Sequence, residues 1–178
     1  MKILFKKTAV ATVSFGAGMI ALGIAVSAAG IRVNTSRSIP LGFYIAISKP
    51  ADKYDYVLFC PPNSAVMAEA KRRGYLAAGF CAGDYGYLMK KILATGDDVV
   101  AVTDEGVNVN GVPLPYSAPL MRDSQDRDLP RLQPANFVMR NGELLLMSDV
   151  SSTSFDARYF GPVNRAQVNT VIRPLLTW

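Results

Sequence analysis

Thr8 to Ile31 is a run of 24 residues without one charged side chain, preceded by Lys2, Lys6 and Lys7 and followed by Arg32. Nothing else in the chain restricts its fold so strongly. A helix over that run, rising about 1.5 Å per residue, is long enough to cross a ~30 Å hydrocarbon core. The lysines stay on the cytoplasmic side, which sends the rest of the chain across. The same run also fits a cleavable secretory signal, with small residues for cleavage at Val26-Ser27-Ala28. Gly16, Gly18 and Gly23 weaken it as a helix without excluding either reading. Both readings deliver Arg32 onward to the same compartment. The expected organisation is a signal or anchor segment over 1–31 and one extracytoplasmic domain over 32–178.

The lysine tip also accounts for much of the basic balance. Of 19 basic residues, 16 lie from Arg32 onward, against 14 acidic ones. The three-residue cluster Lys71-Arg72-Arg73 falls near the end of an expected helix, where cations suit the dipole. No basic stripe with interleaved aromatics is present, so no nucleic-acid partner is expected. Histidine is absent from the sequence. That excludes a Ser-His-Asp triad, a Cys-His pair and histidine metal ligation. Two cysteines cannot cage a zinc ion, and neither a metal nor an organic cofactor is expected. In an oxidising compartment Cys60 and Cys81 can pair, closing a loop worth about 3 kcal/mol in chain entropy; two buried thiols are the alternative.

The body reads as mainly strand. Gly42–Ile47, 54–60, 87–94, 99–103 and 168–173 are short stretches rich in β-branched or aromatic residues and bounded by turn formers. Asn110-Gly111 joins 107–109 to 112–114 as a hairpin, and a second Asn-Gly separates 137–140 from 143–147. One helix is expected over 64–73, capped by Asn63 and ended at Gly74. Residues 113–134, polar and proline-bearing, read as a long loop. The fold class is therefore mainly β, a folded sheet or barrel with one short helix behind the N-terminal segment.

Without histidine, a serine nucleophile needs another base, and a lysine serves once burial removes its charge. Ser38 sits in Asn34-Thr35-Ser36-Arg37-Ser38-Ile39-Pro40-Leu41-Gly42-Phe43-Tyr44, where Pro40 and Gly42 constrain and loosen the backbone. A plain serine-rich linker after the membrane segment is the competing reading. Lys90 and Lys91 form a pair inside an apolar strand, so alternation turns them to opposite faces. Lys90 shares its side with Leu88, Ile92 and Ala94; Lys91 shares its side with Tyr87, Met89 and Leu93. Two lysines snorkelling from an edge strand would give the same pattern. Asp156 and Arg158, two apart on an extended segment, can share a network that orients a lysine, or be a surface ion pair.

These stretches, in this order behind an N-terminal apolar segment, resemble the type I signal peptidases. More narrowly they resemble the TraF branch, the peptidases of plasmid conjugative transfer. The resemblance is carried by S-x-P-x-G-x-Y at 38–44, K-K-I-L-A-T-G-D at 90–97, V-x-V-N-G at 107–111 and S-x-D-x-R-Y-F-G at 154–161. It implies a signal-peptidase-like catalytic domain at the periplasmic face of the bacterial inner membrane. It implies Ser38 as nucleophile and Lys90 as general base. It also implies Asp156 as the acidic neighbour with Arg158 as its partner, Ser154 as the serine holding the lysine, and Ser36 as an oxyanion-hole hydroxyl. The implied partners are a pilin precursor or another membrane-inserted substrate, membrane lipid and other transfer proteins. The acyl-enzyme can be resolved by water or by the pilin's own N-terminus, giving a cyclic subunit. A general signal peptidase and a non-enzymatic envelope component are the alternatives. Pro40 stands two residues after Ser38 rather than three, Ser148-Asp149-Val150 replaces a Gly-Asp-Asn run, and Ala157 stands where serine is usual.

Overall fold

In the computed structural model, residues 2–130, 132 and 135–178 are described, with side chains from Thr12 onward except that of Ala135. The uncharged N-terminal run lies in a helix, α1 (Lys2–Ala28), up to Ala28. Among the described residues no helix is long and apolar enough to cross a membrane. The side chains of Lys2, Lys6 and Lys7, which orient the expected anchor, lie outside the described ones. Two residues after α1 the chain enters β1 (Ile31–Asn34), a strand outside those expected from the sequence.

The body is built from β2 (Gly42–Ile47), β3 (Tyr56–Phe59), α2 (Ala65–Arg72), β4 (Ala78–Cys81), β5 (Leu88–Ala94), β6 (Val99–Val102), β7 (Val107–Val109), β8 (Val112–Pro113), β9 (Ala135–Val138), β10 (Glu143–Met147), α3 (Ala157–Phe160), β11 (Val163–Asn164) and β12 (Val168–Thr177). Seven strands form one sheet in the order β1-β2-β12-β3-β5-β10-β11, and four form a second in the order β8-β7-β6-β9. The mainly β architecture stands. Apolar side chains from β3, β5, β10 and β12 fill the core of the larger sheet. Leu93, Ala94, Leu145 and Met147 pack instead with the valines of β6 and β7, so β5 and β10 carry the chain from one sheet to the other. A register shift between Leu145 and Leu146 marks the transition.

Several local expectations are corrected by backbone chemistry. The strand expected over 54–60 is trimmed to β3, because Tyr54 turns with a positive φ of 73°. Ser64, not Asn63, caps α2, its hydroxyl accepting from the Met67 N–H. The strand expected over 168–173 runs on as β12 to Thr177, past Pro174 through an irregularity in its pairing, and lies between β2 and β3. The segment at Asp156–Arg158 is not extended: Asp156 caps the single turn of α3 by accepting from the Arg158 N–H. The 107–109/112–114 hairpin forms as read, with Asn110 and Gly111 both at positive φ, as a tight two-residue turn requires.

Candidate active site

The turn over 35–41 connects antiparallel β1 and β2 and carries Ser38. It is held at its base by the pair Asn34↔Gly42. Gly42 has a φ of +149°, and a Cβ there would run into the Leu176 carbonyl oxygen of β12. Ile39, fully buried with Tyr44, Leu58 and Ile172, anchors one side of the turn. The Tyr44 hydroxyl donates to the Pro40 carbonyl at 2.7 Å. The family-like run Pro40-Leu41-Gly42-Phe43-Tyr44 thus contributes a bend, a close strand crossing and a buried phenol.

Lys90 comes from β5, between β3 and β10 and away from either sheet edge, which removes the edge-strand reading of the lysine pair. Its side chain is 2% exposed. The amine donates to Ser38 Oγ at 2.7 Å and to Ser154 Oγ at 2.6 Å, and the two hydroxyls are 3.4 Å apart. Burial lowers the Lys90 pKa from 10.5 to about 8; Asp156 opposes that shift and Arg158 adds to it. Lys91 turns the other way. It pairs with Asp149 at 2.6 Å and lies over the Tyr56 ring. Burial works against its charge, but the Asp149 hydrogen bond prevails and its pKa is raised. Adjacent lysines therefore occupy opposite electrostatic regimes.

Behind Ser154 lies an ion pair with no exposed side-chain surface. Arg158 Nε meets Asp156 Oδ1 at 2.8 Å and its Nη2 meets Asp156 Oδ2 at 2.8 Å. The same guanidinium donates to the carbonyls of Ser154, Ser152, Tyr116 and Ala118. Asp156 also accepts from the Ser148 N–H at 3.1 Å. The surface-pair reading is thereby excluded. The loop expected over 113–134 is tied to the site through two of these carbonyls; Arg131, Gln133 and Pro134 lie outside the described residues.

Ser38, Lys90 and Ser154 meet at the floor of a cleft of about 490 Å³ whose walls include Tyr75, Ala77, Tyr87, Ser151 and Phe155. Ser36 faces the same cleft but does not join them: its hydroxyl donates to Asn34 Oδ1 at 3.0 Å. Ser38's backbone N–H has no hydrogen-bond partner among the described residues. Cys60 and Cys81 form a disulfide that ties the residue after β3 to the end of β4. Among the described residues no cluster of His, Cys, Asp or Glu is suited to a metal ion. Sequence reasoning misses Asn34, because a carboxamide beside a serine-rich turn reads as an ordinary turn former.

A serine hydroxyl, a buried amine of lowered pKa and a second hydroxyl on that amine make a unit suited to acyl transfer. The sequence matches the family model described as signal peptidase, peptidase S26, over residues 5–176. Two Escherichia coli proteins, each named plasmid transfer protein TraF, are close relatives. One is 54% identical over 178 residues, covering all of both chains; the other is 55% identical over 163 residues, covering 92% of each. A solved signal peptidase I from Enterococcus faecalis V583 is 18% identical and covers 70% of this chain and 98% of its own, with a TM-score of 0.41.

Proposed function

Because the chain belongs to the peptidase S26 signal peptidase family, in the branch of the TraF plasmid transfer proteins, we propose that it is a serine endopeptidase that processes a pilin precursor during conjugal transfer. Its catalytic domain, 32–178, works at the periplasmic face of the inner membrane behind the signal or anchor segment 1–31. The observation that carries this reading is the 2.7 Å approach of Lys90 Nζ to Ser38 Oγ in a site that disfavours the lysine's charge.

Neutral Lys90 keeps one hydrogen bond as donor to Ser154 and offers its lone pair to the Ser38 hydroxyl. Ser38 Oγ attacks the scissile carbonyl and its proton passes to Lys90. The tetrahedral oxyanion is stabilised by the Ser38 N–H, and by Ser36 once its hydroxyl turns from Asn34. Collapse breaks the C–N bond, and Lys90 returns the proton to the leaving amine. The Ser38 ester is then resolved by water, giving a linear product, or by the precursor's own amino terminus, giving a cyclic one. Arg158 and Asp156 hold Ser154, and so the lysine, without touching substrate.

The test is incubation of the detergent-solubilised protein with pilin precursor, comparing product masses for wild type and Ser38→Ala. A cleaved chain made by wild type and not by the variant supports the reading. A product lighter by one water than that linear chain identifies cyclisation. Cleavage by Ser38→Ala at the wild-type rate overturns the nucleophile assignment.

A further inference from the structure

The turn that carries Ser38 is held from inside by one side chain that has no part in the chemistry above. Asn34, the last residue of β1, is 4% exposed. Its Nδ2 donates to the carbonyl oxygens of Ser36 at 2.7 Å, Ile39 at 2.9 Å and Pro40 at 3.0 Å. Its Oδ1 accepts from the Ser36 N–H at 3.1 Å and the Ser36 hydroxyl at 3.0 Å. The five contacts lie on both sides of Ser38 in sequence and none is to Ser38 itself. The carboxamide thus does for this turn what a strand ladder does elsewhere: it gives partners to backbone groups that the tight reversal leaves without them.

Only a group combining donors and an acceptor on one short stem can do this. An aspartate would direct charge at three carbonyl oxygens. An alanine would leave the Ser36 and Ile39 carbonyls and the Ser36 N–H without these partners, and the Pro40 carbonyl with the Tyr44 hydroxyl alone. A glutamine carries the same atoms on a stem one methylene longer, in a site with little exposed surface to absorb it.

We propose that Asn34 is the positioning residue for the nucleophile, fixing the turn so that Ser38 Oγ stays against Lys90 Nζ and covers it. The proposal rests on the Ser38–Lys90 reading but is tested apart from it. Lys90 is buried partly because this turn lies over it, so releasing the turn opens the amine to reagents. Asn34→Ala and Asn34→Ser, the second retaining one donor, are treated as folded full-length protein with acetic anhydride at pH 9. Acetylation is mapped by peptide mass, with exposed Lys49 as the internal reference.

Lys90 acetylation is expected to rise about tenfold over wild type in Asn34→Ala, and less in Asn34→Ser, while Lys49 is unchanged. On pilin precursor, kcat is expected to fall about 100-fold with KM held within about threefold, as a misplaced nucleophile requires. If the folded variants acetylate Lys90 at the wild-type rate, Asn34 does not hold the turn over the lysine and the proposal is overturned. A raised KM with unchanged kcat also overturns it. If wild type fails to turn over the precursor but Lys90 acetylation rises as expected, the positioning role stands and the peptidase reading falls.

Discussion

Lys90 Nζ lies 2.7 Å from Ser38 Oγ although 52 positions separate the two residues, while its immediate neighbour Lys91 is bound 2.6 Å from Asp149. The two-residue period of β5 sends one amine into the core beside hydroxyls and the other to a carboxylate. Only the first is placed to lose its proton near neutral pH. Ser38→Ala and Lys90→Ala should each lower precursor turnover on the order of a thousandfold or more, with thermal unfolding still cooperative. Lys91→Ala should retain most activity. Loss with Lys91→Ala and retention with Lys90→Ala would reverse the assignment of the base.

The pH dependence of turnover follows from the direction of the Lys90 shift. Burial brings its pKa from 10.5 to about 8, so the neutral form grows as pH rises through that region. The pH profile of kcat/KM should therefore rise about tenfold per unit well below pH 8 and level above it. The same profile measured on Lys91→Ala should superimpose on wild type. A profile flat from pH 6 to 9 would remove Lys90 as the titrating base.

Much of this was legible in the sequence. The strands at Gly42–Ile47 and Glu143–Met147 coincide with their expected ranges, because apolar runs between turn formers leave little choice. The opposite fates of Lys90 and Lys91 follow from strand alternation alone, although which lysine is buried does not. Three features were hidden for identifiable reasons. β1 is only four residues long and its first, Ile31, reads as the end of the apolar run, so too little alternation is left to mark a strand; pairing with β2 makes it one. The turn of α3 is too short for helical periodicity, and only the Asp156 cap reveals it. Asn34 makes its five contacts within six residues, and no spacing rule separates such a carboxamide from an ordinary turn former.

The Asp156–Arg158 pair has no exposed side-chain surface, so removing one partner leaves a buried charge without its counter-ion. Asp156→Asn should cost about 3–5 kcal/mol in urea unfolding, and Arg158→Lys should not rescue a network built on a planar five-donor fork. Arg158→Lys is expected to loosen the Ser154 and Ser152 carbonyls and lower kcat as well as stability. A variant losing less than about 1 kcal/mol would mean that these residues do not bear on the site through that pair.

The disulfide closes a segment that includes α2 and the cleft-lining residues Tyr75, Leu76 and Ala77. Its sequence separation of 21 corresponds to about 3 kcal/mol of unfolded-chain entropy. Cys60→Ala with Cys81→Ala should lower the midpoint of thermal unfolding by roughly 6 to 12 °C for a domain of this size. Reductant should do the same to wild type and nothing further to the double variant. A midpoint insensitive to both would mean that the segment is held by its packing alone.

The lysine that the proposed chemistry needs neutral carries a folding cost whose sign can be worked out. In the unfolded chain it holds its proton up to about pH 10.5, whereas in the folded protein it releases it near 8. Below pH 8 both states bind the proton, and the folded state bears the full cost of burying the charge. Between pH 8 and 10.5 the unfolded state binds more protons, so stability rises with pH across that window and the cost is gone above it. At about 1.4 kcal/mol per pKa unit the penalty is about 3–4 kcal/mol. Lys90→Met fills the same volume without a charge. It should be more stable than wild type at pH 7, with the difference closing as pH approaches 10.5, as read from urea midpoints of the two proteins in matched buffers. Parallel pH curves for the two would show that the buried amine is solvated in the folded state, and a base of lowered pKa would then have no structural foundation.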